Sequence, residues 1–111
     1  MWLRQANRPP IKFGLRHTEG WAAYVLDDHL FMKSVPFIAG ETYPDLGSNF
    51  EAFTNSELLE LETFGPLKPI SSGETIVHKE SWVVFSKFLV PNLQEEEEIL
   101  TAMEKYKKQL L

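Results

Sequence analysis

Cysteine is absent from the 111 residues. Its absence excludes disulfide frameworks, cysteine zinc sites, iron–sulfur clusters and thiol nucleophiles together, and it suits a reducing compartment. No apolar run approaches the roughly 20 residues that a helix needs to cross a bilayer. Met1-Trp2-Leu3-Arg4-Gln5 lacks the apolar core of a signal peptide, and no Asn-x-Ser/Thr acceptor occurs. The sequence is therefore expected to belong to a soluble, cytoplasmic protein with no membrane association. A Gly-rich phosphate loop, a His-x-x-x-His pair and a Gly-x-Ser-x-Gly elbow are all missing. Glycine and proline, 6 and 7 residues, are at ordinary levels, so collagen-like and low-complexity chains are excluded. Positive charge is also scarce. Lys and Arg number 11 against 16 Asp and Glu, a net charge of −5. The cations near the start (Arg4, Arg8, Lys12, Arg16) are scattered and form no basic stripe, so nucleic-acid binding through phosphates is not expected.

What is present points to a folded core. The chain is 43% hydrophobic and carries 3 Trp, 3 Tyr and 8 Phe. Its length fits one domain. Period-two alternation runs through Ile11, Phe13 and Leu15, and Thr18-Glu19-Gly20 reads as a turn. Trp21–Leu26 and Leu30–Phe37 read as strands around an Asp27-Asp28 turn, the second interrupted at Pro36. These three runs suggest an antiparallel meander. Residues 39–48 form the longest loop, punctuated by Pro44 and Gly47. Strands are then expected at Asn49–Thr54, Leu58–Phe64 and Thr75–Phe88, with a turn at Asn55-Ser56. From Pro91 the period changes. Ile99, Met103, Tyr106 and Leu110 recur at helical spacing, Asn92 is a plausible N-cap, and glutamates precede lysines as the helix dipole prefers. The expected architecture is mainly β, an antiparallel β-sandwich over residues 1–91 followed by a C-terminal amphipathic α-helix over 92–111. The helix stripe docks on that domain or on a second subunit.

Chemistry would rest on carboxylates and histidines. In Leu58-Leu59-Glu60-Leu61-Glu62-Thr63-Phe64, strand geometry puts Glu60 and Glu62 on one face at about 7 Å. Such a pair can act as a general base or grip sugar hydroxyls; the same spacing suits a solvent-facing strand. Asn49, Glu51 and Phe53 share a face, a polar pair beside a ring that suits the hydroxyls and CH face of a sugar. An ordinary half-exposed strand has the same pattern. In the last strand, Ile76, His78, Glu80, Trp82 and Val84 share a face, and His78 beside Glu80 is either a proton-transfer or metal pair or a surface pair. His17 and His29 lie near turns without evident partners. No metal site and no cofactor are called for.

The stretch Tyr43-Pro44-Asp45-Leu46-Gly47-Ser48-Asn49-Phe50-Glu51 through Leu67, followed by Ser72-Gly73-Glu74-Thr75-Ile76-Val77-His78-Lys79-Glu80-Ser81-Trp82, resembles the C-terminal part of uncharacterised bacterial proteins with the galactose-mutarotase-like (aldose 1-epimerase-like) β-supersandwich. Glu19-Gly20-Trp21-Ala22-Ala23-Tyr24 and Leu30-Phe31-Met32-Lys33 fit the same part, so the resemblance spans about residues 11–88. It implies a large antiparallel sandwich with a carbohydrate-binding concave face. In active mutarotases a glutamate near the C-terminus takes the anomeric hydroxyl proton and a histidine protonates the ring oxygen. Glu62, before the Gly73-Glu74 turn, best matches that glutamate, with Glu60 and Glu51 as alternatives. Asn49, Phe53, His78 and Trp82 would contact the sugar. The family's catalytic histidines match nothing here. The resemblance therefore implies a shortened family member without a complete catalytic set: a truncated remnant, a chain completed by a separately encoded half, or a self-associating version. A positioned acid contributes about 10²–10⁴-fold, so an isolated fragment lacking it is expected to be a poor enzyme. The expected partners are a carbohydrate or sugar-phosphate ligand and a homo-oligomer or second chain that completes the sheet. A non-catalytic protein-interaction module is the alternative function.

Overall fold

The structure, a computed structural model, describes residues 1–6, 8–90 and 92–110. Pro91, at the boundary that the sequence pattern predicts, and Leu111 lie outside the described residues. The fold is the expected class: mainly antiparallel β, as two three-stranded sheets, with a C-terminal helix. The strands are β1 (Ile11–Leu15), β2 (Trp21–Leu26), β3 (His29–Ser34), β4 (Phe50–Thr54), β5 (Leu59–Thr63) and β6 (Ser81–Phe85), and the helix spans Glu96–Lys107. The chain forms two compact units. One contains Met1–Leu3, Trp21–Ser34 and Glu80–Leu111; the other contains Arg4–Gly20 and Val35–Lys79.

The first unit holds the sheet β2-β3-β6 and the helix. Asp27, at a left-handed φ of 52°, closes the β2–β3 hairpin, a conformation that Asp tolerates better than bulkier residues. Ala23, Val25, Leu30, Met32 and Phe85 occupy one sheet face and meet Ile99 and Met103 of the helix. Burial of Leu30, Met32, Phe88, Ile99 and Met103 supplies this unit's main stabilising term. The Tyr106 ring packs at a tilt against Phe85 and edge-on against Phe88, with centroids 4.7 and 5.4 Å away. The helical stripe thus docks on its own sheet. Its start differs from expectation. Asn92 does not cap it; the Asn92 side chain accepts from the Gln94 N–H at 3.0 Å and closes a turn ahead of the helix. The helix begins where Glu96, Glu97 and Glu98 can all lie in its first turn, facing the positive end of the dipole.

The second unit holds the sheet β1-β4-β5. The expected meander of the first three strands does not form: β1 pairs with β4, and of the three only β2 and β3 make a hairpin. Two devices redirect the chain after β1. Asn49 N–H donates to Leu15 O at 3.0 Å, extending the β1–β4 ladder. Gly20 then turns at φ 69°, so close to the Val35 carbonyl that a Cβ would overlap it. The β4–β5 hairpin turns at Asn55, whose Oδ1 accepts from the Glu57 and Leu58 N–H groups. Tyr43, Phe50 and Ala52 are buried here, and Phe37 stacks on Tyr43 at 5.4 Å.

The long last strand is the largest departure. Only Ser81–Phe85 is strand, although period two continues back to Thr75. Its partner β3 ends opposite it at Ser34↔Ser81, and the next residue, Val35, gives its N–H to Gly20 O on the β2 side at 2.9 Å. Residues 75–80 therefore have no further β3 backbone to pair with.

Candidate functional site

The β1-β4-β5 register assembles a polar face. Glu51 lies opposite Gly14 on one side and Glu62 on the other, and Phe53 lies between Lys12 and Glu60. Directly opposed residues project to the same side, with Cβ atoms about 4.5–5.5 Å apart. The two candidate sets, Glu51 with Phe53 and Glu60 with Glu62, therefore share one face. Ile11, Phe13, Phe50, Ala52 and Leu61 take the other.

Beside this face opens a cleft of about 600 Å³ lined by Lys12, Gly14, Arg16, Asp45, Leu46, Gly47, Ser48 and Glu51. That volume lies within the range of small-molecule sites. Gly14 is essential to its packing, since a Cβ there would overlap Ser48 Oγ and lie 3.7 Å from Glu51 Oε1. The opposite wall is the turn Pro44–Gly47, in which Asp45, Leu46 and Gly47 all have left-handed φ. The Ser48 hydroxyl donates to Asp45 O at 2.9 Å and its N–H to Pro44 O at 2.9 Å, which holds the turn closed.

Glu51 is only 3% exposed, and Lys12 Nζ sits 2.6 Å from its Oε2. An ionised carboxylate is costly to bury without such a partner. The hydrogen bond to Glu51 raises the Lys12 pKa above its usual value, with the negative charges of Glu51, Glu62 and Asp45 adding to it and burial opposing it. Lys12 is therefore a firmly protonated cation among three carboxylates. The Arg16 guanidinium lies over the Phe37 ring, 5.1 Å from its centroid. Glu62 is half-buried and Glu60 exposed; among the described residues no hydrogen bond or ion pair ties either carboxylate.

The other predicted residues lie elsewhere. Asn49, 1% exposed, uses its amide on the fold: Oδ1 accepts from His17 N–H at 2.7 Å and Nδ2 donates to His17 O at 2.9 Å. His78 and Glu80 do not share a strand. His78 is exposed, with Nε2 2.8 Å from Thr63 Oγ1. Glu80 accepts from Lys33 Nζ at 3.2 Å and from Trp82 Nε1 at 2.7 Å. Trp82 belongs to the other unit, on the outer face of β6. The ring of His17 packs edge-on against Phe50 at 5.6 Å, and His29 pairs with Asp28 at 2.9 Å. Among the described residues no three His, Asp or Glu side chains converge as metal ligands.

Lys12, Gly14, Arg16, Asp45 and Ser48 are not among the candidate site residues that the sequence offers. Period two did place Lys12 on the face opposite Ile11 and Phe13, but its juxtaposition with Glu51 appears only once β1 is paired with β4. Compared with family models, curated proteins and solved structures, the chain gives no match.

Proposed function

We propose that the chain is a carbohydrate-binding protein of mutarotase-like type, without a complete catalytic set, that takes its sugar on the Lys12–Glu51–Phe53–Glu60–Glu62 face. The observation that carries this reading is the β1–β4–β5 register. It gathers acceptors for hydroxyls, one ammonium donor and one aromatic ring on a single face beside an open cleft. A pyranose presents the complementary groups: hydroxyls that donate and accept, and a CH face that covers a ring. Glu51 is already neutralised by Lys12. That leaves Glu62, half-buried and untied, as the carboxylate on the face best able to accept an anomeric proton. No histidine is among the described residues that form this face, so the histidine that protonates the ring oxygen in active mutarotases has no counterpart there.

The test is a titration of the isotope-labelled chain with a panel of hexoses and hexose phosphates, followed by amide chemical shifts. Binding in the weak range typical of single sugars should move residues 12, 14, 51, 53, 60 and 62 by about 50 mM ligand. The double substitution Glu60→Ala, Glu62→Ala should abolish the shifts. No movement on this face with any sugar would refute the proposal.

A further inference from the structure

We propose that β6 is a homodimerisation edge, at which two copies of this chain pair antiparallel about a twofold axis through Val83. Strand β6 ends its sheet, and among the described residues no strand pairs with its outer side. Natural edge strands are blunted by charge, proline, bulges or extreme shortness. Ser81-Trp82-Val83-Val84-Phe85 has no charge, no proline and no glycine, and it is paired without a bulge along all five residues. Trp82 and Val84 are 66% and 64% exposed, both on the outer face of the sheet.

The strand is also complementary to itself, which an isologous contact requires. About an axis at Val83, Trp82 of one copy opposes Val84 of the other, and the reverse pair repeats on the far side of the axis. Ser81 opposes Phe85 twice, and Val83 opposes Val83. Aromatic against β-branched pairs are among the favourable cross-strand combinations. The other exposed edges fit less well. Self-pairing of β5 about Leu61 would set Glu60 against Glu62 twice, a like-charge contact. Strand β1 carries Lys12, already held by Glu51. Strand β2 is uncharged, but its residues are half-buried up to Val25, and the Lys107 ammonium covers the Trp21 ring at 5.0 Å. The contact would join two three-stranded sheets into one of six, and its small apolar area makes it a weak, concentration-dependent dimer.

Sedimentation equilibrium from about 1 to about 500 µM should show the mean mass rising from one chain toward two. Trp82→Lys and Val84→Lys place a charge on the edge at well-exposed positions. Each should weaken association at least about tenfold, and at concentrations where the wild type is monomeric Val84→Lys should keep the wild-type thermal midpoint. Register is tested separately. In a chain without cysteine, Val83→Cys places two thiols directly opposite at the axis, at Cα distances of about 4.5–5.5 Å that a disulfide spans. It should give a covalent dimer under mild oxidation, whereas Ala23→Cys, the equivalent axial position of β2, should not. A wild type that stays monomeric throughout overturns the proposal. So does a dimer that the lysine substitutions leave intact, or one cross-linked by Ala23→Cys and not by Val83→Cys.

Discussion

Replacing Asn49 tests how the polar face is held in place. Its side chain is a two-point clamp on His17, at 2.7 and 2.9 Å, while its backbone bonds Leu15 O and accepts from Phe64 N–H at 2.9 Å. Asn49→Ala keeps the backbone bonds and removes both clamp bonds. The His17 carbonyl keeps the Gly20 N–H at 3.1 Å, but the His17 N–H is left in a part-buried setting without its acceptor, at about 1–3 kcal/mol. The expected loss is therefore about 1–3 kcal/mol, a sizeable share of the 5–15 kcal/mol that typically stabilises a domain. Asn49→Asp discriminates further. The carboxylate still accepts from His17 N–H, but its second oxygen now faces the His17 carbonyl at a buried position. Only the protonated acid can donate there, so the folded-state pKa of the new Asp rises above the unfolded value of about 3.9. A raised carboxyl pKa means that the variant is least impaired below that unfolded value and loses stability as pH climbs through the folded one. Urea denaturation of the three chains between pH 4 and 8 reads both effects, and hydrogen exchange at His17 localises them. A loss below about 1 kcal/mol for Asn49→Ala, or a pH-independent Asn49→Asp deficit, would refute the clamp.

Two further outcomes follow from the packing and charge of the units. Met103→Ala removes a 5% exposed side chain from the sheet–helix core and should cost about 2–5 kcal/mol, whereas Leu100→Ala, 42% exposed on the same helix, should cost less than about 1 kcal/mol; equal losses in chemical denaturation would place the helix stripe wrongly. Lys12 has a raised pKa because Glu51 holds its ammonium, so its contribution is fully present below the unfolded value near 10.5 and is lost as pH rises through the higher folded value. The stability gap between wild type and Lys12→Met should therefore be constant near neutrality and close only in strongly alkaline solution, which paired unfolding curves across that range would show.

The local alternation of β1, β4 and β5 was legible because each strand has one apolar and one polar face, and period two reports a face directly. The helix stripe of Ile99, Met103 and Tyr106 was legible for the same reason at period 3.6. Pairing was not legible. Ile11–Leu15 and Trp21–Leu26 are adjacent in sequence and both read as strands, yet β1 joins β4 through contacts of Leu15 and His17 with Asn49, more than thirty residues away. Alternation is silent about such long-range choices. The Thr75–Phe88 pattern erred for a related reason. It marks residues able to be strand, while the length of a strand is set by the partner, and β3 ends at Ser34. Asn49 shows the limit for single residues: Asn beside Glu on a strand face suits a sugar as well as it suits a backbone clamp, and only the position of His17 decides between them.

The charge on the assembled face bears on what it could accept. Two cations reach the cleft, but Lys12 is committed to Glu51 and Arg16 lies over Phe37. The carboxylates of Asp45, Glu60 and Glu62 are then in excess around them. A phosphate would have to displace Glu51 from Lys12, leaving a 3% exposed carboxylate without its counter-ion, a loss that a single ammonium–phosphate contact in an open cleft does not offset. Uncharged hydroxyls face no such exchange. They can donate to Glu60 and Glu62 and leave the Lys12–Glu51 pair intact. Under the carbohydrate-binding proposal, the balance of charge therefore favours a neutral hexose over its phosphate, and it does so through Lys12, whose place beside Glu51 is visible only after β1 and β4 are paired.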